Sequence, residues 1–142
     1  MSTETLMPDV VKLAVGFLRA QTEVTDLMGA TTSARGRLDK NVQYPAVKVT
    51  RISSEPVHNR PFLVERVRMQ FDAYGGNNRE AERLAQNVRS TLMERGVGYE
   101  ADGGWITKII PVSMDDLPDE AFEPVKERYI VQMDIWVKAA IS

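Results

Sequence analysis

Apolar side chains recur three and four residues apart in two segments, which is the spacing of an amphipathic helix. The first segment, residues 8–21 (PDVVKLAVGFLRAQ), opens with a proline and an aspartate that suit a first helical turn. In the second segment, Asn77 or Asn78 is placed to cap a helix that ends at Gly96. The predicted buried stripes are Val10, Leu13, Ala14, Phe17 and Leu18 in the first helix and Ala81, Leu84, Ala85, Val88 and Leu92 in the second.

Alternation of apolar and polar residues predicts four strands. These strands lie in residues 44–53 (beginning after Pro45), 62–74, 105–113 and 127–139. The polar stretches SSEPVHNRP (53–61) and MDDLPDEAFEP (114–124) are interpreted as loops. The connection TTSARGRLDKNVQ (31–43) has room for a further short edge strand.

The second predicted strand carries apolar residues of opposite parity. Val67, Met69 and Phe71 share one face, whereas Phe62 and Val64 fall on the other. Since a shift of one residue moves a side chain to the opposite face of a sheet, this strand is predicted to contain a bulge, a twist or a second contact surface.

The order helix, strand, strand, helix, strand, strand favours an α+β fold. We expect a mainly antiparallel sheet of four to five strands, with two α-helices packed on one face and a polar opposite face. A length of 142 residues fits one domain (1–142), and no internal repeat or domain boundary is apparent.

Composition narrows the class of protein. Hydrophobic residues make up 43% and charged residues 27%, the balance of a soluble globular protein, and no apolar run approaches the roughly 18 residues of a membrane span. The absence of cysteine excludes disulfides and thiolate metal sites. A formal charge of −2 provides no general attraction to nucleic acid. The N-terminal residues show no secretory signal, so folding in a cytosol is expected.

Gly75 and Gly76 stand where a strand leads into a helix, a position at which many proteins bind phosphate. A phosphate loop also needs a lysine or a third glycine near the start of the helix, and GGNNRE has neither. A turn followed by an asparagine cap accounts for Gly75, Gly76, Asn77 and Asn78. A structural role is therefore predicted for the glycine pair.

Side chains capable of catalysis or metal binding do not form a known motif. His58 is the only histidine and lies in a polar stretch bounded by prolines. Asp115, Asp116 and Glu123 lie in the acidic stretch 114–124, whose spacing does not match a calcium loop. No serine stands in a nucleophile-elbow pattern. We expect no enzyme activity, no metal and no cofactor.

Charged residues on the polar strand faces predict ion pairs. Arg66 and Arg68 share a face with Asp72, and Asp134 of the last strand is expected on the same face, which favours cross-strand pairing over a nucleic-acid strip. Trp136 has the parity of that polar face. It is predicted either to be covered by another part of the chain or to anchor an interface.

Taken in order, these segments resemble the tail terminator, or tail completion, proteins of long-tailed, siphovirus-type bacteriophages. The resemblance rests on the helix MPDVVKLAVGFLRA, the tyrosine-proline strand YPAVKVTRISS, the strand-to-helix unit VERVRMQFDAYGGNNREAERLAQNVRSTL and the closing strand RYIVQMDIWVKA. Together these segments cover nearly the whole chain. The long strands, of about a dozen residues, are roughly twice the usual length and are expected to reach toward neighbouring chains.

The resemblance implies a structural protein of the virion, assembled in the host cytoplasm and located at the head-proximal end of the tail. There it would form a homo-oligomeric ring, a hexamer, that stops growth of the tail tube. The ring would bind the tail tube protein and the head-tail connector protein, and DNA would pass through its channel without sequence-specific binding. The alternatives are a head-tail connector of the neck and, from another class, a cytosolic module that binds a small ligand.

The two long polar stretches are the predicted contact segments of the ring, since they would order when a neighbour docks. The interface candidates are Glu55, His58, Arg60, Asp115, Asp116, Glu123 and Trp136. Reversing the charge at Arg60 or Asp116 is expected to disturb binding to the ring or the tube without unfolding the subunit.

Overall fold

A computed structural model describes residues 8–30, 33–38, 42–57, 64–122 and 125–139. These residues form three α-helices and six strands of one sheet. The helices are α1 (Val10–Arg19), α2 (Thr22–Met28) and α3 (Asn78–Thr91), and the strands are β1 (Ala34–Arg35), β2 (Ala46–Pro56), β3 (Val64–Gly75), β4 (Glu100–Ala101), β5 (Gly104–Asp116) and β6 (Glu127–Ala139). The α+β class is confirmed, with three helices where two are predicted and six strands where four to five are predicted.

The strand order across the sheet is β1, β2, β3, β6, β5, β4. Neighbouring strands are antiparallel except β1, which runs parallel to β2 and pairs Ala34 with Val47. The sheet is therefore mixed, and β1 is the short edge strand for which the polar connection 31–43 has room. Parallel strands need a connection long enough to return the chain to the same end of the sheet, and residues 36–45 separate β1 from β2.

The first helix forms where its pattern predicts. Asp9 is the N-cap, and its side chain accepts a hydrogen bond from the backbone N of Lys12 at 3.1 Å. All five residues of the predicted stripe are buried. The short helix α2, which the pattern did not predict, follows directly and ends at Gly29, whose φ of 76° is the left-handed conformation of a helix C-cap.

The second predicted helix is α3, capped by Asn77, whose Oδ1 accepts a hydrogen bond from the backbone N of Glu80 at 2.9 Å. Its predicted apolar stripe is buried. The chain then continues into a π-helical turn, Leu92–Gly96. Gly96 is the last residue of this turn and lies close against β5, since a Cβ there would stand 2.5 Å from Cδ1 of Ile109.

One face of the sheet packs against the helices. The core joins apolar residues of all three helices to alternate residues of the strands, as the predicted layer arrangement requires. The central strands contribute Val67, Met69 and Phe71 from β3 and Val131, Met133 and Ile135 from β6. These six side chains are at most 1% exposed, so the middle of the sheet is closed on the helical side.

Two strands are longer than predicted. β2 continues to Pro56 and β5 to Asp116, so the predictions of loop for residues 53–56 and 114–116 were wrong. In both cases the neighbouring strand supplies the partner: Glu55 pairs with Arg66 of β3, and Asp116 pairs with Tyr129 of β6. The ladder to a long central strand thus overrides the weak local preference of serine and aspartate for turns.

A bulge, a twist or a second contact surface is expected in the second predicted strand, β3, but the bulges of the sheet lie in β2 and β5. β3 pairs with β6 without a break from Val64 to Gly75. The register shifts fall between Arg51 and Ser53 of β2, and at two places in β5. Val64 pairs opposite Lys138 and is half-buried on the face away from the helices, whereas Phe62 lies outside the described residues.

Candidate functional site

The sheet face that the helices leave uncovered is mostly polar, and we call it the open face. The strand registers align its side chains in four rows across β2, β3, β6 and β5. The rows are Glu55, Arg66, Trp136, Lys108; Ser53, Arg68, Asp134, Ile110; Thr50, Gln70, Gln132, Ser113; and Lys48, Asp72, Ile130, Asp115.

Cross-strand pairs neutralise much of the charge on the open face. Arg68 donates from Nε and Nη2 to the two carboxylate oxygens of Asp134, at 2.9 and 3.1 Å. Arg66 forms an ion pair with Glu55, and Gln132 donates to Gln70 at 3.0 Å. The predicted cross-strand ion pairing is confirmed. The two arginines are engaged by carboxylates of the same face and are not aligned as a phosphate-binding strip.

At one end of the open face, Tyr74, Asp119 and Arg128 form a cluster that we call the clasp. The Tyr74 hydroxyl donates to Oδ2 of Asp119 at 2.8 Å, and Nη1 of Arg128 approaches the same oxygen at 3.4 Å. Arg128 also donates from Nε to the backbone O of Leu117 at 2.9 Å. The clasp therefore holds the segment that follows β5 against the end of the sheet.

Burial and hydrogen bonding shift the pKa values of the clasp. Burial raises the pKa of the Tyr74 hydroxyl, and its hydrogen bond to Asp119 raises it further. Partial burial opposes ionisation of Asp119, but hydrogen bonds from Tyr74 and the backbone N of Ala121, together with the charge of Arg128, hold its pKa below the usual value. Burial raises the pKa of the neighbouring Asp72, which is 4% exposed.

Aromatic rings support the same segment. Tyr44, Tyr74 and Phe122 meet edge to face, with ring centroids 5.9 to 6.4 Å apart. Nζ of Lys126 stands 3.9 Å from the centroid of the Tyr44 ring. The part of the acidic stretch from Leu117 to Phe122 is thus attached to its own subunit, in contrast to the prediction of a loop that orders on docking.

The structure separates the predicted interface residues into two groups. Glu55 and Trp136 lie in the first row of the open face, on either side of Arg66. Asp115 lies three rows away, about 20 Å along the strands, with Asp116 next to it. His58, Arg60 and Glu123 lie outside the described residues.

Trp136 is half-buried on the open face, where Nζ of Lys108 stands 4.8 Å from the ring centroid. No helix packs on this face in the described part of the chain. The Trp136 ring is therefore covered only in part, by the long, flexible side chain of Lys108. Asp115 and Asp116 are exposed, and Asp116 accepts a hydrogen bond from Nδ2 of Asn78 at 3.0 Å.

In the described part of the chain, the two outer long strands, β2 and β5, leave most of their outer edges unpaired. β1 pairs only with Val47 and Lys48 of β2, and β4 pairs only with Gly104 and Trp105 of β5. Tyr99 extends the cover of β5 to Ile106 through backbone hydrogen bonds. Among the described residues, no strand pairs with the outer side of residues 49–56, the β2 edge, or of residues 108–116, the β5 edge.

Exposed apolar side chains concentrate beside the β5 edge. Within or next to this edge lie Ile110, Val112, Leu117 and, on the π-helical turn, Met93, each 40 to 52% exposed. A concavity of about 570 Å³ runs between α3 and the edge and is lined by Met93, Met114 and polar side chains of α3. On the β2 edge, Ile52 is 49% exposed.

The glycine pair fits a structural role. A Cβ on Gly75 would stand 2.5 Å from the backbone N of Ala81, so only glycine lets the end of β3 pass this close to α3. Asn77 caps the helix, as the residue types predict.

Two further features are absent from the described residues. No three histidine or acidic side chains in the described ranges are arranged to hold a metal ion. No helix in the described residues has both the length and the apolar character needed to cross a membrane.

Sequence reasoning did not identify the clasp or the free edges. Tyr74 and Asp119 are 45 residues apart, and no local pattern indicates that they meet. The apolar residues of the β5 edge carry a weak signal, since Ile109 and Ile110 are adjacent and break the alternation.

In comparisons with known proteins, no family model and no curated protein sequence matches the chain.

Proposed function

We propose that this protein is a structural subunit of a bacteriophage virion that forms a ring on the head-proximal end of the tail tube. The ring ends polymerisation of the tube and presents the surface to which the head connector joins. It carries out no chemistry, and DNA passes through its channel without sequence-specific contacts. The observation that carries the proposal is a sheet with two long edges that no other described residue pairs, in a chain whose order of elements resembles tail terminators.

The free edges support assembly into a ring. Long edge strands with unpaired backbone groups are normally shortened, charged or covered in proteins that remain monomeric. Here both edges extend for eight residues or more of β2 and β5 and carry exposed apolar side chains. Because the two edges lie on opposite sides of one sheet, a neighbour can bind at each, as a ring requires.

The open face supports a passive role toward DNA. Arg66 and Arg68 form pairs with Glu55 and Asp134, and the third row of the open face consists of uncharged polar residues. A surface of this kind neutralises few phosphates, so its affinity for a nucleic-acid backbone is low. Passage of DNA through a channel needs weak contacts of this type.

Termination of tube growth is tested by adding the protein to polymerising tail-tube protein of the same virus. We expect tubes that stop growing and that carry gold-labelled protein at one end only. Label distributed along the tube walls, or tubes of unchanged length with no label, would contradict the proposal. Bovine serum albumin at equal concentration controls for nonspecific effects on polymerisation.

A further inference from the structure

We propose that the β5 edge of one subunit pairs, as an antiparallel ladder, with the β2 edge of a second copy of this chain. The inference rests on the proposed ring and specifies the contact that closes it. The occupant of the β5 edge is thus residues 51–56 of the neighbouring subunit, and the six-stranded sheets of successive subunits join edge to edge.

The backbone sets the extent of the ladder. Pro111 has no N–H to donate, so regular pairing on the β5 edge is confined to the residues that follow it, 112–116. Pro56 ends β2 in the same way. An antiparallel arrangement places Pro56 opposite Val112, at one end of the ladder, where a missing donor disturbs the fewest hydrogen bonds.

Side-chain parity fixes the register. Ser53 and Glu55 of β2, like Ser113 and Asp115 of β5, belong to the open face. Placing Glu55 opposite Ser113 also places Ser53 opposite Asp115, so that the open faces of the two subunits become continuous. Ile52 lies in the bulge of β2 and remains free to pack over the apolar border of the β5 edge.

Charge favours the antiparallel direction. In the proposed register Arg51 stands opposite Asp116 and next to Asp115, an attractive arrangement of exposed charges. A parallel ladder with the same faces aligned would place Glu55 beside Asp115, two like charges. The charged side chains therefore favour the antiparallel ladder over the parallel one.

The exposed apolar groups gain cover in this contact. The concavity of about 570 Å³ between α3 and the β5 edge adjoins Met114, which stands opposite Ser54 of the neighbour in the proposed register. Burial of Met93 and Val112, now 44% and 40% exposed, adds a hydrophobic contribution to the backbone hydrogen bonds.

The contact is heterologous, since it joins two different edges. β2 and β5 are separated by β3 and β6, and repetition of the same contact leads from subunit to subunit until the ring closes. A contact between two β5 edges would instead give a closed dimer with two-fold symmetry.

Disulfide trapping tests the register, because the natural chain has no cysteine. The variant with both Glu55→Cys and Ser113→Cys is oxidised and analysed by denaturing electrophoresis. The two positions lie on strands three spacings apart and in rows four residues apart, about 20 Å from each other within one subunit, too far for an internal disulfide. We expect a reducible ladder of bands that extends to the ring size measured in solution.

The matched control combines Glu55→Cys with Asp26→Cys, an exposed position on α2, which packs against α1 and α3. We expect no ladder from it. Rings of unchanged mass without a ladder in the test variant would overturn the edge pairing and leave the ring intact. Dimers from Ser113→Cys alone would indicate the two-fold contact and also overturn the inference. A protein that stays monomeric would contradict both the inference and the proposed ring.

Charge reversal provides an independent readout. Asp116→Lys is expected to raise the concentration at which rings form several-fold, and the double variant Arg51→Glu with Asp116→Lys is expected to restore assembly. Both variants should unfold at nearly the same denaturant concentration as the natural chain, because both side chains are exposed and Asp116→Lys removes only a surface hydrogen bond from Asn78. Equal loss of assembly in the single and double variants would argue against pairing of these two residues.

Discussion

Tyr74, Asp119 and Arg128 illustrate how single residues shape the end of the sheet. Tyr74 is 3% exposed, and its hydroxyl donates to a carboxylate that also lies beside Arg128. A hydrogen bond to a charged acceptor in a buried setting contributes more to stability than one at the surface. The clasp is therefore expected to stabilise the subunit.

Replacing Tyr74 by Phe tests this contribution. The variant loses the hydrogen bond to Asp119 while keeping the ring packing, so the free energy of unfolding is expected to fall by about 1–2 kcal/mol. Chemical denaturation measures the change. Tyr129→Phe is the matched control, because its hydroxyl makes only long contacts of 3.4 Å. Equal losses in the two variants would show that the clasp has no special role.

The clasp also predicts how stability depends on pH. Because the folded-state pKa of Asp119 is lowered, its contribution is present above the unfolded aspartate value of about 3.9 and is lost as the pH falls through the lower folded value. The difference in unfolding free energy between the natural chain and Asp119→Asn should therefore shrink from pH 6 to pH 2.5. The raised pKa of Asp72 changes stability with pH in the opposite direction. Because Asp72 is present in both proteins, taking the difference between their unfolding free energies reduces this contribution. A difference that does not change with pH would contradict this assignment.

Gly75 predicts a second single-residue effect. In Gly75→Ala the new Cβ would collide with the backbone of Ala81, and relief of the clash is expected to cost about 1–3 kcal/mol. Gly76→Ala is the control, since its nearest contact, at 3.4 Å, is the end of the flexible Glu80 side chain. Thermal unfolding of the two variants distinguishes them. A similar melting temperature in both would mean that β3 and α3 can separate at no cost.

At the scale of elements, the sequence predicts best those that carry a full period of apolar residues. α1 buries its predicted five-residue stripe, and α3 with the π-helical turn buries the second stripe, so the pattern predicts both. α2 has seven residues and buries only Val24 and Met28, too few to define a period. β2 and β5 are extended by their pairing with β3 and β6, a tertiary effect that local composition does not contain.

The candidate sites also differ in whether the sequence predicts them. The ion pairs of Arg66 and Arg68 were predictable, since parity places arginines and carboxylates on one face. The clasp was not, because it joins the end of β3 to the segment after β5 across a large separation in sequence. The free edges depend on strand order, which no single strand pattern specifies.

The N-cap of α3 allows a test at this scale. Asn77→Ala removes the acceptor for the backbone N of Glu80, and a loss of about 1 kcal/mol in unfolding free energy is expected. Asn87→Ala, in the middle of the same helix, should be neutral or slightly stabilising, because alanine has the higher helix propensity. Denaturant unfolding followed by circular dichroism measures both. An equal loss at the two positions would exclude a specific capping effect.

The whole molecule is a sheet with one face closed by helices, one face polar, and two long edges without partners among the described residues. Such a subunit is well suited to lateral assembly, since each edge offers backbone groups that a neighbour can satisfy. The closed face supplies the stability of the single subunit. The edges and the open face remain available for the ring, the tube and the connector in the proposed function.

Solution mass tests the proposed ring most directly. Light scattering of the purified protein over a concentration series, followed by negative-stain imaging, is expected to show hollow rings of about six subunits, formed either spontaneously or on addition of tail-tube protein. A ring of clearly different number would favour a head-tail connector. A monomer or dimer at every concentration, unchanged by tail-tube protein, would contradict the proposed ring and favour a ligand-binding module.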